Sequence, residues 1–209
     1  MSLDHKKLIF RKAKPEDFEA VCKLIYESGK LSFDYSYTIK QYTPLGFIKF
    51  CFRNGNGFLG YKKQTIGEID GKIVFTGTSY VGQEFIPLVK QTLVLSYRYY
   101  GWMNAARLLL RGVKIANLFV KPKNDSLYLA NLCTDQSVRG LGVFKTYYNL
   151  LLKDAVESEI VNQIELDVAA NNHNAFAAYK KLGFEVIQQH KYKGKDPRIT
   201  DTIRMEYSL

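Results

Sequence analysis

The chain predicts one mixed α/β domain built on about seven strands, and three observations carry that reading. Stretches with period-two apolar alternation, such as 161–168 (VNQIELDV), are interleaved with stretches whose apolar residues recur at helical spacing, such as Phe18, Val21, Cys22 and Ile25. Neither a repeat nor a low-complexity linker divides the 209 residues, a length that suits one large core. With 46% hydrophobic and 24% charged residues, the composition is that of an ordinary globular protein and argues against disordered, collagenous or coiled-coil classes.

Residues 7–12 (KLIFRK) read as a short strand. Lys14-Pro15-Glu16-Asp17 then marks a helix start, since proline suits the first turn and acids complement the positive end of the helix dipole. Phe18, Val21, Cys22 and Ile25 give that helix its apolar face, and Gly29 supplies its stop. A second helix is predicted within 38–53 on Leu45, Ile48, Phe50 and Phe52, followed by a loop at Asn54-Gly55-Asn56-Gly57. The stretches 61–69 and Lys72–Val81 are rich in β-formers, and Asp70-Gly71 between them fits a two-residue primed turn. Residues 84–123 read as mainly helical, opening at Ile86-Pro87 and broken at Gly101 and Gly112. Strand character returns at Ser126–Thr134, with Leu127, Leu129 and Leu132 apolar. A helix then runs through about Ser158, with Tyr147, Leu150, Leu151 and Ala155 on its inner face. After the strand at 161–168 come a helix at 172–182, a strand at 184–191 and a last strand at 199–207. The last places Ile199, Ile203, Met205 and Tyr207 on one face.

The first chemically informative unit is the strand, glycine turn and helix at 127–158. A strand feeding Arg139-Gly140-Leu141-Gly142 leaves unpaired backbone N–H groups at a helix start, where the helix dipole also favours negative charge. Such a turn suits a phosphate, and it equally suits tight packing. It is not a P-loop, since no Gly-Lys-Ser/Thr follows, nor a dinucleotide-binding GxGxxG, since Lys145 stands in the third glycine's place.

The second unit, 164–184 (IELDVAANNHNAFAAYKKLGF), resembles the last block of the GCN5-related N-acetyltransferase (GNAT) superfamily. That block is an apolar strand, then Asn-x-x-Ala, a tyrosine, and Lys-Leu-Gly-Phe. Leu166, Val168, Asn172, Ala175, Tyr179, Lys181, Leu182, Gly183 and Phe184 supply it. Upstream, 132–145 (LCTDQSVRGLGVFK) resembles the family's acetyl-CoA signature, with Arg139 in the first position and Gly142 as the central glycine. Phe144 departs from it, standing where a small residue is usual and where it would narrow the cradle.

The resemblance implies a mixed, mostly antiparallel twisted sheet with helices on both faces, splayed at an acetyl-CoA cleft between Ser126–Thr134 and 161–168. It implies an acyltransferase of the N-acetyltransferase kind, in which a primary amine attacks the acetyl-CoA thioester directly. The amine would belong to a small molecule or a polypeptide N-terminus. Leu132, Cys133 and Thr134 would line the pantetheine arm. The amides of Arg139, Gly140, Leu141, Gly142, Val143, Phe144 and Lys145 would hold the pyrophosphate. Asn172 would cap the last helix and reach the cofactor, and Tyr179 would be the general acid. Glu68, Glu84, Asp125 and Asp135 are candidate bases, each with an equally good turn or surface role. A CoA-ester-binding protein without turnover and an enzyme for longer acyl chains are the alternatives.

Other classes fit less well. Cys22, Cys51 and Cys133 form no CxxC pair, and His5, His173 and His190 share no ligand spacing, so no metal is expected. The opening residues lack the apolar core of a signal peptide, and no apolar run is long enough to span a bilayer. A cytoplasmic protein with reduced thiols is therefore the expectation. A net charge of +10 favours anionic partners, although no nucleic-acid-binding module accompanies it. Much of that charge falls in 84–123, an atypical segment for the superfamily, where seven basic residues face one acid, Glu84. Arg107, Arg111 and Lys114 form a basic stripe there, and Met103, Ala106, Leu110 and Val113 an apolar one. The segment reads as an acceptor wall, a homodimer interface, a membrane-surface helix or a plain edge of the core.

Overall fold

The computed structural model describes residues 8–158 and 160–209. Lys7, His5 and the opening residues on which the signal-peptide reading rests lie outside the described residues. Seven strands form one sheet: β1 (Leu8–Lys12), β2 (Gln64–Ile69), β3 (Lys72–Val81), β4 (Ser126–Thr134), β5 (Gln163–Ala169), β6 (Glu185–His190) and β7 (Thr202–Ser208). Their order is β1-β2-β3-β4-β5-β7-β6, antiparallel throughout except for the parallel pair β4–β5. Asp70 and Gly71 both take positive φ, 50° and 74°, which gives the β2–β3 hairpin the primed geometry its sequence calls for.

Helices α1 (Phe18–Ser28), α2 (Lys30–Tyr37), α3 (Pro44–Asn54), α4 (Phe85–Tyr100) and α5 (Trp102–Ile115) lie on one side. Val21, Ile25, Phe47, Ile48, Phe52, Leu95 and Leu108 pack there around Ile66. On the other side, α6 (Val143–Val156) and α7 (His173–Lys181) set Tyr148, Ala155 and Tyr179 against Leu129, Leu166, Val168, Phe184 and Met205.

Five local readings change. Gly29 is a pause and not a stop, since α2 follows at once; its apolar pattern is too weak to announce it. The predicted second helix is α3, opened by Thr43, whose hydroxyl accepts from the Gly46 amide at 3.2 Å, and closed by Gly55 at φ 75°. Residues Tyr61–Lys63 form a 3-10 turn, so the strand starts only at Gln64. Gly112 does not break α5; on an exposed face it costs only helix propensity, whereas Gly101, at φ 72°, does separate α4 from α5. At the end of the chain, Ile199 precedes β7 and packs with Tyr35, Ile115 and Leu118.

Candidate active site

The site begins with a failure of pairing. Strands β4 and β5 pair only from Ser126 opposite Gln163 to Leu129 opposite Leu166. Beyond Leu166, β5 pairs with β7 alone, so residues 130–134 of β4 open a V against Asp167–Ala169. A bulge sits at the apex. Thr78 lies opposite Ala130 and Thr76 opposite Cys133, so Gly77 faces both Asn131 and Leu132. Asn131 takes φ 50°, which asparagine tolerates better than most residues, and its Nδ2 donates to Thr78 Oγ1 at 2.9 Å. That hydroxyl in turn donates to the fully buried Gln64 at 2.9 Å, which anchors the bulge to β2.

The extra residue resets the side-chain alternation. Leu129 and Leu132, three apart, both pack on the α6–α7 side, and Cys133 is buried within electrostatic reach of Tyr179 on α7 and Glu27 on α1. Burial raises the Cys133 thiol, so the thiolate a nucleophile would need is disfavoured; Arg139 offsets this only in part. Thr134 stands opposite Phe75, and its carbonyl already accepts from Arg139 Nε at 3.1 Å.

Past β4 the chain makes the cradle. Gly140 and Gly142 have φ of 78° and 84°, and a Cβ at either would meet nothing within 4 Å, so the space over the turn is open. Gly142 caps α6 with no side-chain hydrogen bond, which leaves the amides of Val143, Phe144 and Lys145 directed at that space. Oriented amides, a dipole and open volume fit a pyrophosphate. Val143 itself is buried against Phe75 and Tyr147, which fixes the helix start. Phe144 does not narrow the cradle as its sequence position suggests. Its ring turns inward, 5.4 Å from that of Tyr179.

Tyr179 is 9% exposed, between Phe144 and Phe184. Burial, and then the neighbouring Cys133, hold its phenol far above the ordinary tyrosine range, so it stays protonated. Asn172 caps α7, its Oδ1 accepting from the Ala175 amide at 3.2 Å.

The carboxylates singled out by sequence do not converge here. Glu68 accepts from Arg11 at 2.6 Å on β2, with β3 between it and the cleft. Glu84 pairs with Lys63, and Asp125 accepts from Asn162 and Gln163; both lie at the end of β4 opposite Cys133. Asp135 is at the cleft end but is committed to the Ser137 amide and hydroxyl. Sequence reasoning missed Glu27 instead. It is exposed on the last turn of α1, and its charge helps raise the Cys133 thiol. No motif marks it.

Also missed is a buried ionic cluster at the apex of the V. Arg204 donates to Asp167 and Glu165 at 2.6 Å each and to the Val120 carbonyl at 2.6 Å. Tyr128 donates to Asp167 at 2.7 Å, and the Lys123 amide to Glu165 at 3.0 Å. The register that sets Asp167 opposite Arg204 on β7 brings the pair together. Among the described residues, no cluster of metal-ligating side chains is present.

An opened parallel strand pair thus lies beside a glycine turn that leads straight into a helix. Residues 98–184 match the model of the acetyltransferase (GNAT) family. No curated protein is similar enough to match the chain. Among solved structures it resembles an N-acetyltransferase from Staphylococcus aureus Mu50, with TM-score 0.73 and 20% identity over 95% of this chain and 100% of that one. It also resembles a ribosomal-protein-alanine N-acetyltransferase from Brucella melitensis, at TM-score 0.56 and 16% identity over 96% and 99% of the two chains. An agmatine N-acetyltransferase aligns at TM-score 0.58 and 13% identity over 97% and 100%. At such identities the likeness is one of fold.

Proposed function

We propose that the protein is an acetyl-CoA-dependent N-acetyltransferase acting on a primary amine by direct attack. The observation that supports this most is the Tyr179 ring set 5.4 Å from that of Phe144, a residue of the first turn of α6, which opens at the glycine turn where a Cβ would meet nothing within 4 Å. Acetyl-CoA supplies the activated thioester. Residues 131–134 and the amides of 139–145 hold and orient it, with Asn172 at the start of α7 adding a polar contact. Glu27, reaching the cleft from α1, receives the amine and draws its proton. As the C–N bond forms and the C–S bond breaks, Tyr179 gives a proton to the sulfur; burial makes its phenolate unfavourable, so solvent returns the proton after the amine has lost its own.

The test is release of CoA thiol from acetyl-CoA with a panel of small amines and short peptides. Turnover with an amine, abolished or strongly reduced in Tyr179→Phe, supports the reading. Binding of acetyl-CoA without turnover on any amine would make the protein a CoA-ester-binding one instead.

A further inference from the structure

Helix α5 is built inside out. Arg111, part of the predicted basic stripe, points inward, its Nη1 donating to the Thr38 and Tyr35 carbonyls at 2.6 and 3.2 Å. Asn104 likewise turns to the Tyr100 carbonyl, and only Leu108 and Ile115 bury apolar surface. The apolar stripe faces outward. Trp102 is 67% exposed, Leu110 64% and Val113 66%, with Met103 and Leu109 beside them. Their spacing, 102/103, 106, 109/110 and 113, makes one continuous face. Tyr97, on the last turn of α4 before the Gly101 corner, is 57% exposed as well. A contiguous apolar face of this kind normally has something to cover it.

Charge selects the cover. From Phe85 to Lys123 there are seven basic residues and no acid. Arg98, Arg107 and Lys114 are exposed around the stripe. In a symmetric contact between two copies the same patch meets itself, so these cations would meet their own counterparts with no carboxylate of the segment to receive them. An anionic surface that is also apolar beneath its charges satisfies both features, and a bilayer of acidic phospholipid is such a surface. Among the described residues no helix is long and apolar enough to cross a membrane, so the contact would lie in the interface. We infer that the α4–α5 corner docks the protein onto anionic phospholipid, with Trp102, Leu109, Leu110 and Val113 at the acyl boundary and Arg98, Arg107 and Lys114 among the headgroups.

Trp102 is the only tryptophan in the chain, so it reports on the contact directly. The full chain is mixed with phosphatidylcholine vesicles with and without phosphatidylglycerol, and Trp102 emission and co-sedimentation are followed. The expected result is a blue shift and at least about tenfold stronger binding to the anionic vesicles, weakened about tenfold by raising salt to about 0.5 M. Leu110→Ser/Val113→Ser and Arg107→Gln/Lys114→Gln, all at exposed positions, should each lose about tenfold or more while keeping the circular dichroism of the parent. Absence of binding at low salt overturns the inference, as does parent-like binding by either double variant. So does a blue shift that appears without vesicles as protein concentration rises together with a dimeric mass, because a second copy then covers the face.

Discussion

The ring of Phe144 meets that of Tyr179 edge-on, with centroids 5.4 Å apart and planes at 73°. Phe144 therefore serves the other wall of the cleft, bracing the phenol with its side chain while its backbone amide stays at the cradle. Tyr179→Phe should lower kcat by about 10²- to 10⁴-fold with little change in acetyl-CoA affinity. Phe144→Leu should lower kcat by about tenfold through a looser phenol. Thiol-release kinetics measure both. The Tyr179 phenol is held far above its usual range, so it contributes no alkaline limb between about pH 6 and 10. A limb there that vanished in Tyr179→Phe would contradict the assignment.

The acceptor side gives a separable expectation. Glu27→Gln removes the carboxylate offered to the incoming amine and leaves the cradle untouched. The amine KM should rise about five- to fiftyfold, while the thermal shift on adding CoA should match the parent.

Gly142 and Gly71 make a matched pair. Both have positive φ, 84° and 74°, and open space where a Cβ would stand. Replacing either by alanine should cost about 1–2 kcal/mol of backbone strain in urea unfolding. Only Gly142→Ala places a methyl over the cradle, so only it should shrink the stabilisation by CoA. Equal shrinkage in both would remove the cradle from the binding site.

Arg204, 4% exposed, neutralises Glu165 and Asp167 at the apex of the V. Arg204→Met leaves two buried carboxylates facing each other without their cation and should destabilise by about 3–5 kcal/mol. Adding Glu165→Gln and Asp167→Asn to that variant should recover a large part of the loss. Denaturant titration of the three chains decides it.

Alkali should unfold the protein through its buried acids. Burial raises the Cys22 thiol and the Tyr147 phenol to about 12, and burial together with Asp34 raises Tyr26 to about 12. A folded-state pKa above the unfolded one means stability that is complete below the unfolded value and lost as pH rises through the folded one. The denaturation midpoint should therefore hold to about pH 8.5 and fall progressively toward 12, and Cys22→Ala should delay the start of that fall.

The order of elements, the β2–β3 hairpin and the glycine cradle were legible in the sequence because each depends on neighbours. Alternation, turn residues and helix starts are written within a few positions of one another. The Leu129–Leu132 spacing even carried the trace of the bulge, since two same-face residues three apart do not fit a regular strand. Tyr179 was legible through its motif, and the structure adds the Cys133 and Phe144 contacts that surround it.

What the sequence by itself determined, then, is the fold, the glycine turn that opens α6 and the excess positive charge of 84–123. The tertiary structure alone decided which way side chains with two readings turned. Phe144 went into the core and not into the cradle; Arg111 bonded inward while Leu110 and Val113 went out. Glu165 and Asp167, ordinary surface charges by composition, became half of a buried cluster because strand register set them beside Arg204. A local pattern fixes the period of an element, but the face that is buried depends on the partners that segments far away in the chain present, and those exist only once the chain has folded.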